Sequence, residues 1–266
     1  MSFTDYIKKM LTGQSRISER ADHSASDAAK TKAEKSGPTL LAIDTASTSL
    51  STAVLINGEV KGELYEDMER GQAEHLMGFI AKTLETAKVD LADLDGIAVT
   101  VGPGAFTGMR IGLSTARALG LARKIPVVGV SSLEAVAYGV TERDHQGRNI
   151  LVVLDSKRNE LFAQAFDGKK RPLSNADCVA PRQALMMAPP GDTLLAGDAT
   201  PRLLTAAAHA PDAFYDCTAP GLPRAGNVAR IAAARWETGE NLAPVPLYLR
   251  APDARRIEDQ GPQKKK

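Results

Sequence analysis

Two aspartates close apolar runs in nearly identical settings, Leu41-Ala42-Ile43-Asp44 and Val152-Val153-Leu154-Asp155. A carboxylate at the end of a buried strand suits metal and phosphate chemistry, because it can share a divalent cation with water and substrate oxygens. It serves equally well as a structural cap, accepting from the N–H groups of the turn that follows. Both readings stand for Asp44. Two-metal hydrolysis needs a cluster of carboxylates, and the first half adds Glu63, Glu66 and Asp95 without a spacing that gathers them.

Residues 101–110 read Val-Gly-Pro-Gly-Ala-Phe-Thr-Gly-Met-Arg, between an apolar run and a helical pattern. Gly102, Gly104, Thr107 and Gly108 could form a phosphate turn, with Thr107 as N-cap and backbone N–H groups aimed at the anion. The Lys-Ser/Thr pair of a Walker loop is missing, and Pro103 removes one donor. A tight structural turn is the alternative. Along the following helix Gly108, Gly112, Ala116 and Gly120 recur at every fourth position. Each helical glycine costs on the order of 1 kcal/mol against alanine, so the stripe implies close approach of another backbone. That backbone belongs either to the chain's own sheet or to a helix of a partner.

The remaining reactive side chains are scattered. His23, His75, His145 and His209 form no helical metal pair, and Cys178 and Cys217 have neither zinc nor CxxC spacing. The cysteines read as buried thiols in a reducing compartment, and His75 as a surface or packing residue.

Strands over 40–44, 51–56 and 59–65 are expected, the last two joined by the hairpin signal Asn57-Gly58. Apolar residues at helical spacing predict a helix over 72–88. A strand follows over 96–101, a helix over 107–123, a strand over 127–130, and a helix capped by Ser131 or Ser132 running to 138. The second half opens alike, with strands over 149–155 and 160–166, then a strand over 193–197 and an alanine-rich helix over 226–237. This is a duplicated α/β unit, read as two ribonuclease-H-like lobes with the second degenerate. The first lobe spans 39–140 and is expected to bind a partner. The second spans 149–254, with the 226–237 helix able to pack back on the first. Residues 1–38 read as a disordered extension or, through Phe3, Ile7, Met10 and Leu11, as a short docking helix; 255–266 read as a flexible basic tail.

The formal charge is +1; the first 38 residues carry +2 and the last twelve +3, which leaves the body at −4. A body that grips nucleic acid by itself is ordinarily basic. No apolar run approaches the ~20 residues of a membrane span, and no secretory signal opens the chain, which points to the cytoplasm.

The blocks LLAIDTAST, RGQAEHLMGFI, VTVGPGAFTGMRIGLSTARALG and IPVVGVSSLEA, followed by VVLDSKRNELFAQAF and PVPLYLRAPDA, resemble the TsaB (YeaZ) family of tRNA threonylcarbamoyladenosine biosynthesis. The resemblance covers residues 40–253. It implies the actin-like ATPase fold and a non-catalytic paralogue of the transferase TsaD. Where TsaD-like sequences carry a His-x-x-x-His metal pair, this chain has Ser132 and Val136, which cannot replace two imidazoles. The resemblance further implies a helical bundle with TsaD, or with a second copy when TsaD is absent. The helices over 72–88 and 107–123 would build it, with Leu76, Met77, Ile80, Gly108, Gly112, Ala116 and Gly120 at the contact. A Gly112→Arg substitution is then expected to abolish pairing and spare the fold. TsaE would join the pair, ATP would be used in the complex, and tRNA would be met only through it; the chain itself is assigned no cofactor, metal or catalytic residue. The contrasting reading is a magnesium-dependent actin-fold phosphotransferase or nuclease using Asp44 and Asp155.

Overall fold

The computed structural model describes residues 37–206, 214–216, 221–236, 238–240 and 242–250. The readings placed on residues 1–36, on His23, His209 and Cys217, and on the 255–266 tail lie outside these residues.

Strand β1 (Thr39–Asp44) is buried on both faces and sits at the centre of a five-stranded sheet of order β3-β2-β1-β4-β5. It pairs antiparallel with β2 (Ser49–Ile56), which pairs antiparallel with β3 (Glu59–Asp67). The β2–β3 turn places Asn57 (φ 50°) and Gly58 (φ 82°) in the left-handed region, the conformation for which Asn-Gly is suited. Strands β4 (Gly96–Gly102) and β5 (Val127–Ser131) extend the sheet in parallel.

Helices α1 (Gln72–Ala87) and α2 (Phe106–Arg123) cover one face of this sheet. Alternation along β1 settles which residues meet them: Leu41 and Ile43 pack with Leu76, Ile80 and Leu113, while Leu40 and Ala42 point to the other side. After β5 come α3 (Ser132–Gly139) and a single turn, α4 (Glu142–His145). His145 is buried in that turn, its Nδ1 accepting from the Gly147 N–H at 3.0 Å.

The second sheet has order β10-β9-β6-β7-β8, built from β6 (Asn149–Asp155), β7 (Leu161–Phe166), β8 (Asp177–Val179), β9 (Thr193–Ala196) and β10 (Phe214–Asp216). Helices α5 (Pro181–Met186) and α6 (Thr200–Ala206) cover one face, and α7 (Ala225–Trp236) ends the series. Both halves therefore run β-β-β-α-β-α-β-α with the same strand order and the same antiparallel and parallel pairings. This is the ribonuclease-H-like topology twice over, the actin-like ATPase fold.

The halves exchange their final helices. Leu133, Val136, Ala137 and Val140, in α3 and just beyond it, pack in the core of the second sheet. Val228, Ala229 and Ala232 of α7 pack on Leu40, Ala42 and Ala53 of the first. A further tie runs through residues 242–250. The Gly129 N–H donates to Leu242 O at 2.8 Å, the Leu247 N–H donates to Val101 O at 2.7 Å, and Leu249 packs into the second core.

Candidate functional site

The carboxyl ends of β1 and β6 face a cleft of about 750 Å³ between the lobes. The first lobe supplies residues 46–48 and the start of α2, the second supplies residues 154–158 with Phe162 and Asp198, and residues 247–250 cross between them.

Asp44 is fully buried at the end of β1. Its Oδ1 accepts from the Thr100 hydroxyl at 2.6 Å and from the Ala46 N–H at 3.2 Å, which is the turn-capping geometry. Its Oδ2 is buried without a hydrogen-bond partner among the described residues. Burial pushes the carboxyl up to about 6, against the opposing pull of the Thr100 and Ala46 donors.

Asp155 occupies the equivalent place in the second lobe with different surroundings. Arg202 from α6 bonds its Oδ1 at 2.6 Å, and Lys157 Nζ lies 3.3 Å from its Oδ2. Arg202 also donates to the carbonyls of Arg158 and Asn159, at 2.7 and 3.1 Å, so one guanidinium ties the β6–β7 turn together. The Asp155 N–H in turn donates to Asp198 Oδ1 at 2.8 Å, and burial raises the carboxyl of Asp198. Both Asp155 oxygens are thus held by cations of the chain itself. Glu63 receives the Gly226 N–H at the start of α7, and Asp95 accepts from the Thr39 N–H at 2.8 Å, so neither joins Asp44.

The glycine turn is filled from within. A Cβ at Gly104 or at Gly108 would overlap the carbonyl oxygen of Ala46 or of Thr45, and Gly102 holds a φ of 105°. The Ala105 N–H donates to Ala46 O at 2.7 Å, and the Thr45 hydroxyl donates to Gly108 O at 2.7 Å. Two carbonyl oxygens therefore stand beside a turn where an anion would need donors. Helix α2 begins at Phe106 with Ala105 as N-cap, so Thr107 is an exposed residue of the first turn and not the cap. Ser131 is the N-cap of α3, yet among the described residues neither its hydroxyl nor that of Ser132 finds a partner.

The small-residue stripe requires a correction. Gly108, Gly112, Ala116 and Gly120 are buried against the chain's own sheet. A Cβ at Gly112 would lie 2.6 Å from Thr45 Oγ1 and close to Val99 and Ile43, and one at Gly120 would meet Val127. Leu76 and Ile80 are likewise core residues. These six residues face inward, and a Gly112→Arg substitution would break the core before it reached a partner. Met77 alone of the expected contact residues is partly exposed.

The outward face of the helix pair is formed by other residues. On α1 these include Ala73, Glu74 and Gly78; on α2 they include Ser114, Ala118 and Leu121, the last 82% exposed. Gly78 differs from the α2 glycines, since a Cβ there would stand in open space. It also lines a groove of about 420 Å³ between β3 and α1, together with His75, which is exposed. The sequence signal for Gly78, a glycine inside a strongly periodic helix, was available and is eclipsed by the stripe on α2.

At the mouth of the cleft Phe106 stacks on Tyr248, with centroids 5.5 Å apart. The Arg110 guanidinium lies 3.8 Å from the centre of the Phe106 ring, and its Nε donates to the Tyr248 hydroxyl at 3.3 Å. Phe106 and Arg110 sit four apart on one helix; nothing local connects them to Tyr248, 138 residues after Arg110. Cys178, expected as a buried thiol, is only half-buried on β8.

Among known proteins, residues 57–191 match the family model of TsaD, tRNA N6-adenosine threonylcarbamoyltransferase. An uncharacterized protein of Mycobacterium tuberculosis is 36% identical over 226 residues, which is 82% of this chain and 95% of that protein. The tRNA threonylcarbamoyladenosine biosynthesis protein TsaB of Haemophilus influenzae is 34% identical over 134 residues, covering 50% of this chain and 56% of that one. The solved structure of YeaZ from Pseudomonas aeruginosa superposes with a TM-score of 0.68 at 28% identity, over 80% of this chain and all of YeaZ.

Proposed function

The chain belongs to the TsaB (YeaZ) branch of the TsaD family, and from that premise we propose that it takes part in tRNA threonylcarbamoyladenosine formation as a non-catalytic subunit that docks on TsaD. In this reading the outward face of α1 and α2 meets the corresponding helices of TsaD, and a second copy of the chain takes that place when TsaD is absent. TsaE then joins the pair and ATP is used in the complex. The observation that carries the docking reading is Gly78. It is a glycine inside a 16-residue helix whose missing side chain is explained by nothing among the described residues. A helical glycine costs on the order of 1 kcal/mol relative to alanine, and close approach by another helix offsets that cost.

Two features support a supporting role over chemistry by this chain. The residues at the positions of the TsaD metal pair, Ser132 and Val136, are buried. Asp155 is committed to Arg202 and Lys157, so a magnesium site shared between Asp44 and Asp155 would first have to break two ion pairs.

The test is co-purification with TsaD and TsaE of the same organism, coupled to a threonylcarbamoyladenosine assay with and without this chain. Modification is expected to require it, while the chain alone modifies nothing. Gly78→Arg is expected to lose TsaD binding while its unfolding temperature is no lower than the parent's, since arginine is the better helix former in open space. Normal binding by that variant, or full modification without the chain, overturns the reading.

A further inference from the structure

Helix α2 has a neighbour on its outward side that the docking reading leaves out. Residues 242–250 run antiparallel along it. The Arg110 Nε donates to the Tyr248 hydroxyl at 3.3 Å, and two turns further along the helix Arg117 donates to Pro244 O. Phe106, Arg110, Arg117 and Leu121 follow at intervals of four, seven and four, so they share one face of the helix. That face and the 242–250 segment form one surface. The segment is firmly held, by the Gly129 bond to Leu242, the Leu247 bond to Val101, and Leu249 in the second core.

This surface is apolar to a degree the fold does not require. Ten large hydrophobic side chains are exposed among the described residues, and five of them, Phe106, Leu121, Leu242, Val245 and Tyr248, lie here. Such a concentration on one side of the molecule marks an interaction surface rather than scatter. The surface is also cationic without compensation. The sequence has no Asp or Glu between Asp95 and Glu134, nor within 242–250. Arg110 and Arg117 bond only neutral oxygens, and neither forms an ion pair among the described residues. Arginine and aromatic side chains with carboxylates depleted are the composition of a protein interface at its centre. A phosphate backbone is ordinarily met by cations in series, whereas here two arginines stand among five apolar side chains.

We propose that the docking surface continues from α2 onto residues 242–250, and that TsaD meets Arg110 and Arg117 with carboxylates while its apolar side chains cover Leu121, Val245 and Tyr248. The inference rests on the docking reading. It adds to that reading a second element of this chain and the charge its partner must carry. Because the segment is already fixed against β4 and β5, covering it demands little further ordering.

The test measures TsaD binding to the full chain by calorimetry, with thermal unfolding of every variant. Val245→Glu puts a carboxylate where apolar cover and acidic groups of the partner are placed. It is expected to weaken binding about ten-fold or more with little change in unfolding temperature, since Val245 is 54% exposed. Arg110→Gln with Arg117→Gln is expected to bind more weakly at low salt and to lose most of the salt dependence shown by the parent. Leu173→Glu, an equally exposed site in the second lobe, is expected to bind as the parent does. Binding that is lost in Gly78→Arg yet indifferent to Val245→Glu and to the arginine pair overturns this inference and leaves the docking reading standing. No binding by the unsubstituted chain overturns both. Self-association abolished by these variants at unchanged TsaD affinity also overturns it, making the surface a contact between copies of the chain. So does unchanged TsaD affinity with loss of threonylcarbamoyladenosine formation, which would make it an RNA contact.

Discussion

Replacing Asp44 by asparagine should remove a pH-dependent component of stability whose size follows from the burial of one carboxyl group. In the unfolded chain that group titrates at its ordinary 3.8; in the folded protein burial raises it to about 6. Below 3.8 both states are protonated and folding bears no ionisation cost. As the pH rises toward 6 the unfolded state gives up its proton first, and the folded state loses ground. Above 6 both are ionised, and the cost levels at about 3 kcal/mol. The same two values give about 1 kcal/mol at pH 4.5, so the parent should lose about 2 kcal/mol from this group between pH 4.5 and pH 8. In Asp44→Asn the new amide retains a carbonyl oxygen for the Thr100 and Ala46 donors and places its nitrogen where Oδ2 has no partner, at a fixed cost of about 1–3 kcal/mol that does not change with pH. The assay is urea unfolding of parent and variant at both pH values. With a slope of about 2–3 kcal/mol per molar for a domain of this size, the gap between the two midpoints should move by about 0.7–1 M in favour of the variant on going to pH 8. A gap that stays constant across pH would refute the reasoning, since it would mean that Asp44 titrates alike in both states.

The helix glycines should separate sharply by face. Gly108→Ala forces a methyl into the Thr45 carbonyl and is expected to cost about 2 kcal/mol, lowering the melting temperature by about 4–8 °C, whereas Gly78→Ala, in open space, should raise stability by up to about 1 kcal/mol; scanning calorimetry of the pair checks both. Arg202→Ala should destabilise by about 1 kcal/mol and speed hydrogen exchange in the β6–β7 turn, because three acceptors on that turn lose one shared donor. Arg202→Lys is expected not to restore protection, since an ammonium lacks the planar fork that spans them.

The first lobe is readable in the sequence because its strands are long, its turn at Asn57-Gly58 is a strong local signal, and α1 shows clean helical spacing; the expected 72–88 differs from the observed Gln72–Ala87 by one residue. In the second lobe β8 and β10 have three residues each, too few for periodicity to show. The stripe on α2 has the right period and the wrong partner. Spacing tells which residues share a face, and a sheet and a foreign helix make the same demand for small ones. What decides it is the Thr45–Ala46 turn, which arrives from some sixty residues earlier and occupies the space. Asp44 and Asp155 look alike in sequence for a related reason. The environment that distinguishes them is Arg202, 47 residues beyond Asp155 and on helix α6.

The exchange of terminal helices has a consequence for how this chain is made. The last strand of the first sheet, ending at Ser131, leaves the ribosome about a hundred residues ahead of Trp236, the end of the helix that covers one face of that sheet. At ~5–20 residues per second, roughly 5–20 s pass during which Leu40, Ala42 and Ala53 have no cover. Synthesis of the amino-terminal half alone would leave that face bare permanently. The nascent first sheet therefore presents a bare apolar face until α7 is made, and a stop codon anywhere before residue 225 removes the lid of a sheet that was finished long before it.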